Sequence, residues 1–401
     1  MAPSIRANVR GDILQWARTS AGLSIEEAAR RIGGQAITPD RVVQWEASDL
    51  QPTVAQLRKM ASVYRRPLAV FFLPERPRDF TAPRDFRRLP GDGLRTLSPE
   101  LLLQLRRVQE RREIATELYE ELAETPASAP QLDITTRSDP EAIGSDIRRL
   151  LGVTMAEQMT WRDRQRRKPF NQWRRRLESL GVLVFQFTDV EPSEALGFSI
   201  ADGDVPVVAV NRKLSLNGRI FCMMHELGHV LLRNGGLCDM EETFRRPPEE
   251  QSIEVFCNGV AASALVPARE LLLKLQVPGY RRDNWQDAEI RELAEAFSVS
   301  REVIVRRLLT LGQTSARFYA EKRAQYAAER EAQRATTAEA EERTTGFESP
   351  AVRALSTQGT GYIRLVLESY HQGRITLSDV SSYLGVRTKH LPRIERALLA
   401  A

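Results

Sequence analysis

The sequence predicts an α+β protein: an all-helical N-terminal domain, a central domain of helices with a small mixed sheet, and a helical C-terminal tail. Apolar residues recur at helical spacing over residues 12–64. Three β-rich runs, GVLVFQF, ALGFSI and VPVVAV, then interrupt the helical pattern between residues 181 and 210, and helical periodicity returns after residue 351. The 401 residues are 42% apolar and 28% charged, ordinary values for globular domains. The apolar runs at 68–73 and 205–210 are far short of a membrane span of roughly 18 residues, so no integral membrane protein is expected. The start, MAPSIRANVRGDILQW, lacks the apolar stretch of a secretory signal, and the 3 cysteines suit a reducing compartment, so the expected location is the cytoplasm. With 58 basic and 53 acidic residues the net charge is +5, which permits a nucleic-acid partner without requiring one.

The first element is a set of short helices. Ile13, Leu14 and Ala17, then Ala28, Ala29 and Ile32, then Val42 and Val43 supply their apolar faces, with Gly or Thr-Pro between them. Ser24-Ile25-Glu26-Glu27 has the form of a capping box, and Thr38 caps the next helix with Pro39 at its first position. Two helices joined by a short turn make a helix-turn-helix, with Arg41 and Gln44 facing outward. The stretches GLSIEEAARRIGG and TPDRVVQWEASDLQPTVAQLRKMASVY resemble the XRE (Cro-type) repressor domain over about residues 10–66. The resemblance implies that the second helix reads the major groove of double-stranded DNA, with Thr38, Arg41 and Gln44 as candidate contacts. Asp40 is also exposed there and opposes the phosphate backbone, which keeps a protein-interaction module open as the alternative.

A proline-rich arm over residues 67–90 and a charged helix over 98–124 follow, ended by TPASAP. The tract WRDRQRRKPFNQWRRR at 161–176 mixes arginine with aromatics; an amphipathic helix with a solvated basic face is favoured over a single-strand binder, because Trp173, Leu177 and Leu180 share one side. The strands come next, with Asp202-Gly203-Asp204 as a turn. The strand from Ala195 to Ile200 is expected to offer an unpaired edge, through Gly197, Phe198 and Ser199, to an extended substrate.

The next helix carries the chemistry. Of 4 histidines in the chain, two stand in His225-Glu226-Leu227-Gly228-His229, an HExxH motif. Ile220, Met224, Leu227 and Leu231 give that segment a buried helical stripe, and Asn234-Gly235-Gly236 a stop. One helical turn apart, His225 and His229 can hold one metal ion; Glu226, about 100° round the helix, is placed as a general base. A third ligand must come from elsewhere. Glu254 is the leading candidate, since it opens a helix whose Asn258, Gly259, Ala261, Ala262 and Ser263 allow close approach; Asp239, Glu241, Glu242, Glu249 and Glu250 compete from a stretch read as a loop around Pro247-Pro248. Cys222, Cys238 and Cys257 flank the region and read as small buried thiols rather than a redox switch.

HExxH followed by Glu254, Asn258, Ala261, Leu265 and Pro267 resembles the ImmA/IrrE metallopeptidases over about residues 171–311, with Val266 where methionine is usual. The resemblance implies a zincin-like domain that holds one zinc ion, or manganese, through His225, His229 and Glu254, with Glu226 as the catalytic base. It also implies an XRE-like repressor protein as substrate, cut to derepress stress or mobile-element genes. The two helices of 287–311, around Ser298-Val299-Ser300, are expected to pack on the peptidase, 316–343 to be a solvated helix or linker, and 351–401 a small helical domain without assigned role. The expected divisions are thus 1–66, 67–130, 131–315, 316–350 and 351–401. The expected partners are the repressor and DNA, with no membrane and a homodimer left open. The rival reading is a DNA-binding repressor or antitoxin-like regulator whose metal domain senses a signal without hydrolysing peptides.

Overall fold

The computed structural model describes residues 6–77, 84–85, 97–124, 126, 132–161, 168–238, 248–275, 282–341 and 348–399. Contacts divide the chain into two compact units, Met1–Ala82 with Gly91–Gln109, and Pro83–Pro90 with Glu110–Ala401.

The first unit is all-helical where it is described, with α1 (Gly11–Ser20), α2 (Ile25–Gly33), α3 (Pro39–Glu46) and α4 (Val54–Val63). Local chemistry sets the helix starts. Ser24 and Glu27 close the expected capping box on α2, Thr38 accepts from the Arg41 amide on α3, and Thr53 and Gln56 form a second capping box on α4. Ile13, Trp16, Ile32, Val42, Trp45, Leu57 and Tyr64 fill the core. Arg18 and Glu46 lock α1 to α3 by a buried two-pronged ion pair of 2.6 and 2.9 Å, and Arg18 also donates to the Leu23 carbonyl at 2.8 Å.

The arm contributes β1 (Arg84–Asp85), and the unit boundary falls within α5 (Pro99–Glu121). The second unit continues with α6 (Pro140–Leu150), α7 (Met155–Thr160), α8 (Lys168–Ser179), β2 (Leu183–Phe187), β3 (Gly197–Ile200), β4 (Val207–Asn211), α9 (Leu216–Leu231) and β5 (Gly236–Cys238). Then come α10 (Pro248–Leu265), α11 (Ala268–Lys274), α12 (Asp287–Phe297), α13 (Arg301–Thr310) and α14 (Ala316–Glu341). The chain ends in α15 (Pro350–Gln358), α16 (Thr360–His371), α17 (Leu377–Leu384) and α18 (Leu391–Leu399).

The sheet is mixed, in the order β1-β5-β3-β4-β2. β2 and β4 are parallel, β3 is antiparallel to both β4 and β5, and β1 lies parallel to β5. β2, β3 and β4 are buried at every position, which is why their sequences are continuous apolar runs instead of alternating ones. The sheet corrects one expectation. β3 is not an edge, because Gly197 and Phe198 pair with Val210 and Ala209 on one side and with Cys238 and Leu237 on the other.

α9 is buried from Ile220 to Leu231 on all sides, beyond the single stripe expected. α6, α10, α12 and α13 share its hydrophobic core, so the paired helices of 287–311 are packing elements of this unit. The 316–343 segment is helical to Glu341, and Phe318 and Tyr326 tie its first half to that core. α8 departs from the expected solvated basic face, since Arg174 is buried among the carbonyls of Val184 and Ser356 and the carboxylate of Glu178. Through that clamp, and through Phe185 against Tyr362 at 5.6 Å, α15 and α16 cover β2. No single described helix is long and apolar enough to cross a membrane.

Candidate functional site

α9 and α10 meet closely because small groups face each other. A Cβ on Gly228 would sit 3.1 Å from Cys257 Sγ and 3.3 Å from its Cα, so even a methyl group at 228 would require Cys257 to give by a few tenths of an ångström. That approach carries Glu254 to the histidines: its carboxylate oxygens lie 3.4 Å from His225 Nε2 and 3.5 Å from His229 Nε2, while the two Nε2 atoms are 3.1 Å apart. All three side chains are buried, and among the described residues they form a group able to hold one metal ion. Glu254 stands in the second turn of α10, not at its start, and Glu249 and Glu250 belong to the first turn of that helix, not to a loop. Asp239, Glu241 and Glu242 lie outside the described residues, as do residues 162–167 of the basic tract; of Cys238 the backbone is described.

The far sides of the rings fix their tautomers. His225 Nδ1 donates to the Asn258 side-chain oxygen at 3.0 Å, and His229 Nδ1 to the Asn234 carbonyl at 3.2 Å, so both Nε2 lone pairs face Glu254. Two lone pairs at that separation repel unless a cation lies between them. Tetrahedral zinc with ligands near 2.0–2.1 Å would separate them by roughly 3.3 Å, close to the distances above, so the residues fit a zinc ion. The electrostatics agree. Burial opposes a charged ring at His225, yet the Glu254 carboxylate outweighs it and the pKa is raised; at His229 burial and the neighbouring His225 prevail and the pKa is lowered. Burial also opposes the charge on Glu254, but the two imidazoles packed against it hold its carboxyl well below the usual carboxylate range. The cluster thus keeps a carboxylate with room for one cation.

Glu226 is fully buried one residue from the first ligand, with β3 passing over it. A Cβ on Gly197 would be 2.8 Å from Glu226 Oε1, 2.5 Å from Cys222 Sγ and 3.0 Å from the Ala209 carbonyl. Only glycine lets the strand pass so near the carboxylate. Gly197 is therefore a packing surface for Glu226, a role the sequence reading missed when it assigned Gly197, Phe198 and Ser199 to an open edge. Burial pushes the thiol pKa values of Cys222 and Cys257 up, which keeps both protonated and inert.

In the first unit, α3 leaves Thr38, Asp40 and Arg41 exposed and Gln44 half-buried. Val43, read as an inner residue, is 46% exposed and joins that outer face. The Thr38 hydroxyl is engaged in capping. The sequence pair Trp45-Glu46 is explained by the ion pair to Arg18, which sets the roll of α3 and hence which side chains look outward.

Residues 177–309 match the family model described as the IrrE N-terminal-like domain, Peptidase M78, and residues 14–71 match a helix-turn-helix family model. No curated protein matches the chain.

Proposed function

We propose that this chain, which carries a helix-turn-helix domain and an IrrE N-terminal-like peptidase domain, is a cytoplasmic zinc-dependent endopeptidase and transcription regulator that cuts an XRE-type repressor and so releases stress or mobile-element genes. The observation that carries this reading is the buried His225, His229 and Glu254 cluster with Glu226 beside it. Zinc, or manganese in its place, would be held by His225, His229 and Glu254 and would supply the acidity that brings a water's pKa toward neutrality. Glu226, packed closely against Gly197 of β3, would accept the proton and return it to the leaving amine. Asn258 and the Asn234 carbonyl hold the two imidazoles in the ligating tautomer.

A peptide must present extended main chain to such a centre. With β3 interior, the strand beyond it is β5, whose Cys238 pairs with Gly197, and β1 forms the edge of the sheet on that side. Arg84–Asp85 now takes that edge in parallel pairing, so a substrate strand displaces the arm or adds beyond it. The helix-turn-helix domain supplies the DNA-bound location, reading the major groove through Arg41 and Gln44 on α3, with Val43 placed to meet a thymine methyl.

The test is direct: purified zinc-loaded protein is incubated with XRE-type repressors, with Glu226→Gln as control. Cleavage by the wild type alone supports the reading. Zinc binding with no cleavage of any repressor favours a metal-dependent sensor that regulates without hydrolysis.

A further inference from the structure

The last two helices have no part in the peptidase reading, yet they are joined in a way that packing of the peptidase does not require. α17 ends at Leu384, Gly385 turns the chain in the left-handed region at φ 61°, and a 3-10 turn over Thr388–His390 leads into α18. Only Gly385, Val386 and Arg387 separate the helical segments, which is the length and the residue type of the turn in a helix-turn-helix. Val380, Leu384, Val386, Leu391 and Ile394 are buried and form the inner side of the pair. The turn is also tied down. The Ser381 hydroxyl donates to the Val386 carbonyl at 2.7 Å, the Val386 amide donates to the Ser381 carbonyl at 3.1 Å, and Gln358 donates to the Leu384 carbonyl at 2.6 Å.

A fixed turn fixes which side of α18 looks outward, and that side is basic. Arg387, Lys389, Arg393 and Arg396 are all exposed. Lys389, Arg393 and Arg396 recur at steps of four and three, so they share one face over roughly 10 Å of helix. Among the described residues Arg387, Lys389 and Arg393 form no ion pair. Arg396 donates from Nε to the Pro392 carbonyl of its own helix at 3.1 Å, which leaves its charge uncancelled. The carboxylates of α17 and α18 are occupied: Asp379 accepts from the Thr376 amide and hydroxyl in the capping box, and Glu395 lies 3.4 Å from His371.

We propose that this pair of helices binds double-stranded DNA, with α18 entering the major groove and its basic face on the flanking phosphates. A major groove about 12 Å wide admits one helix presented in this manner. The deep, narrow major groove of duplex RNA does not, and single strands call for stacking platforms, whereas α18 carries no aromatic residue. The inference rests neither on the peptidase nor on DNA reading by α3.

The test is fluorescence anisotropy of a short mixed-sequence duplex titrated with full-length protein across a salt series, in an Arg41→Ala, Gln44→Ala background that sets α3 aside. Arg387→Gln, Lys389→Gln and Arg393→Gln together should weaken binding at least tenfold and lower the slope of log affinity against log salt by about 2 to 3, with the melting temperature unchanged. Arg269→Gln, Lys274→Gln and Arg291→Gln together, at exposed positions of α11 and α12, remove the same charge and should leave the affinity within about twofold. Without any substitution, duplex should slow hydrogen exchange over residues 387–396. Absence of duplex binding in the α3 background, undiminished binding in the first triple variant, an equal loss in the second, no protection of 387–396, or equal affinity for single-stranded RNA of the same length would each overturn the proposal.

Discussion

In the proposed mechanism the buried carboxylates of Glu226 and Glu254 have different duties, and substitution separates them. Glu226→Gln should keep a full zinc complement, since the ligands are elsewhere, while cleavage falls about 100-fold or more. Glu254→Ala should lose most of its zinc, because two imidazoles make an incomplete site. Metal analysis beside a cleavage assay distinguishes the two, and zinc loss in Glu226→Gln would make that residue a ligand. Gly197→Ala, which adds one methyl group against Glu226, Cys222 and the Ala209 carbonyl, should cut cleavage by about tenfold at unchanged zinc content. Wild-type turnover in that variant would remove the strand from the positioning of the base. The histidine pair was legible because its information is local, two rings one helical turn apart. Arg174 was not, because an arginine in a WRRR run looks solvated, and nothing in the run announces the carbonyls of Val184 and Ser356 that arrive from other elements.

At the scale of elements, the helices were readable from caps and periodicity and the strands from their apolar runs, but the order of the strands was not. β5 comprises Gly236–Cys238, directly after a segment that reads as a helix stop, and β1 is two residues inside a proline-rich arm; neither has enough alternation to declare a strand. Their pairing is what makes β3 interior. If the β5 edge receives substrate, replacing Arg84 and Asp85 together by proline, which removes the main-chain donors of β1, should raise kcat/KM on an unfolded protein substrate severalfold without altering zinc. An unchanged rate would show that the arm does not compete. For α3, the double change Arg41→Ala with Gln44→Ala should weaken specific operator binding about tenfold or more and spare the peptidase, as read by gel retardation beside a cleavage assay. Undiminished specific binding would move the reading face off α3.

For the second unit as a whole, the strand β2 has β4 on one side and α15 along its other flank, with Arg174, Gln186 and Glu178 all bonded to residues of α15 or α16. Removing residues 348–401 would strip those partners from a buried guanidinium and a buried amide. The truncated protein should melt well below the intact one, with a loss of at least about 2 kcal/mol and faster hydrogen exchange in β2. An unchanged melting temperature would show that the C-terminal helices are an ornament.

The clamp between α8 and α15 also has a temporal side. Domains fold as units, N-terminal first, while the chain is being made. The helix-turn-helix unit can be complete while α15 is still unsynthesised, whereas β2 and Arg174 receive their cover only after the ribosome has passed well beyond residue 358. A nascent chain therefore has α3 before it has a finished sheet against α9. On the proposed function, translation order alone would give each new molecule an interval in which its DNA-reading face is complete and its peptidase is not.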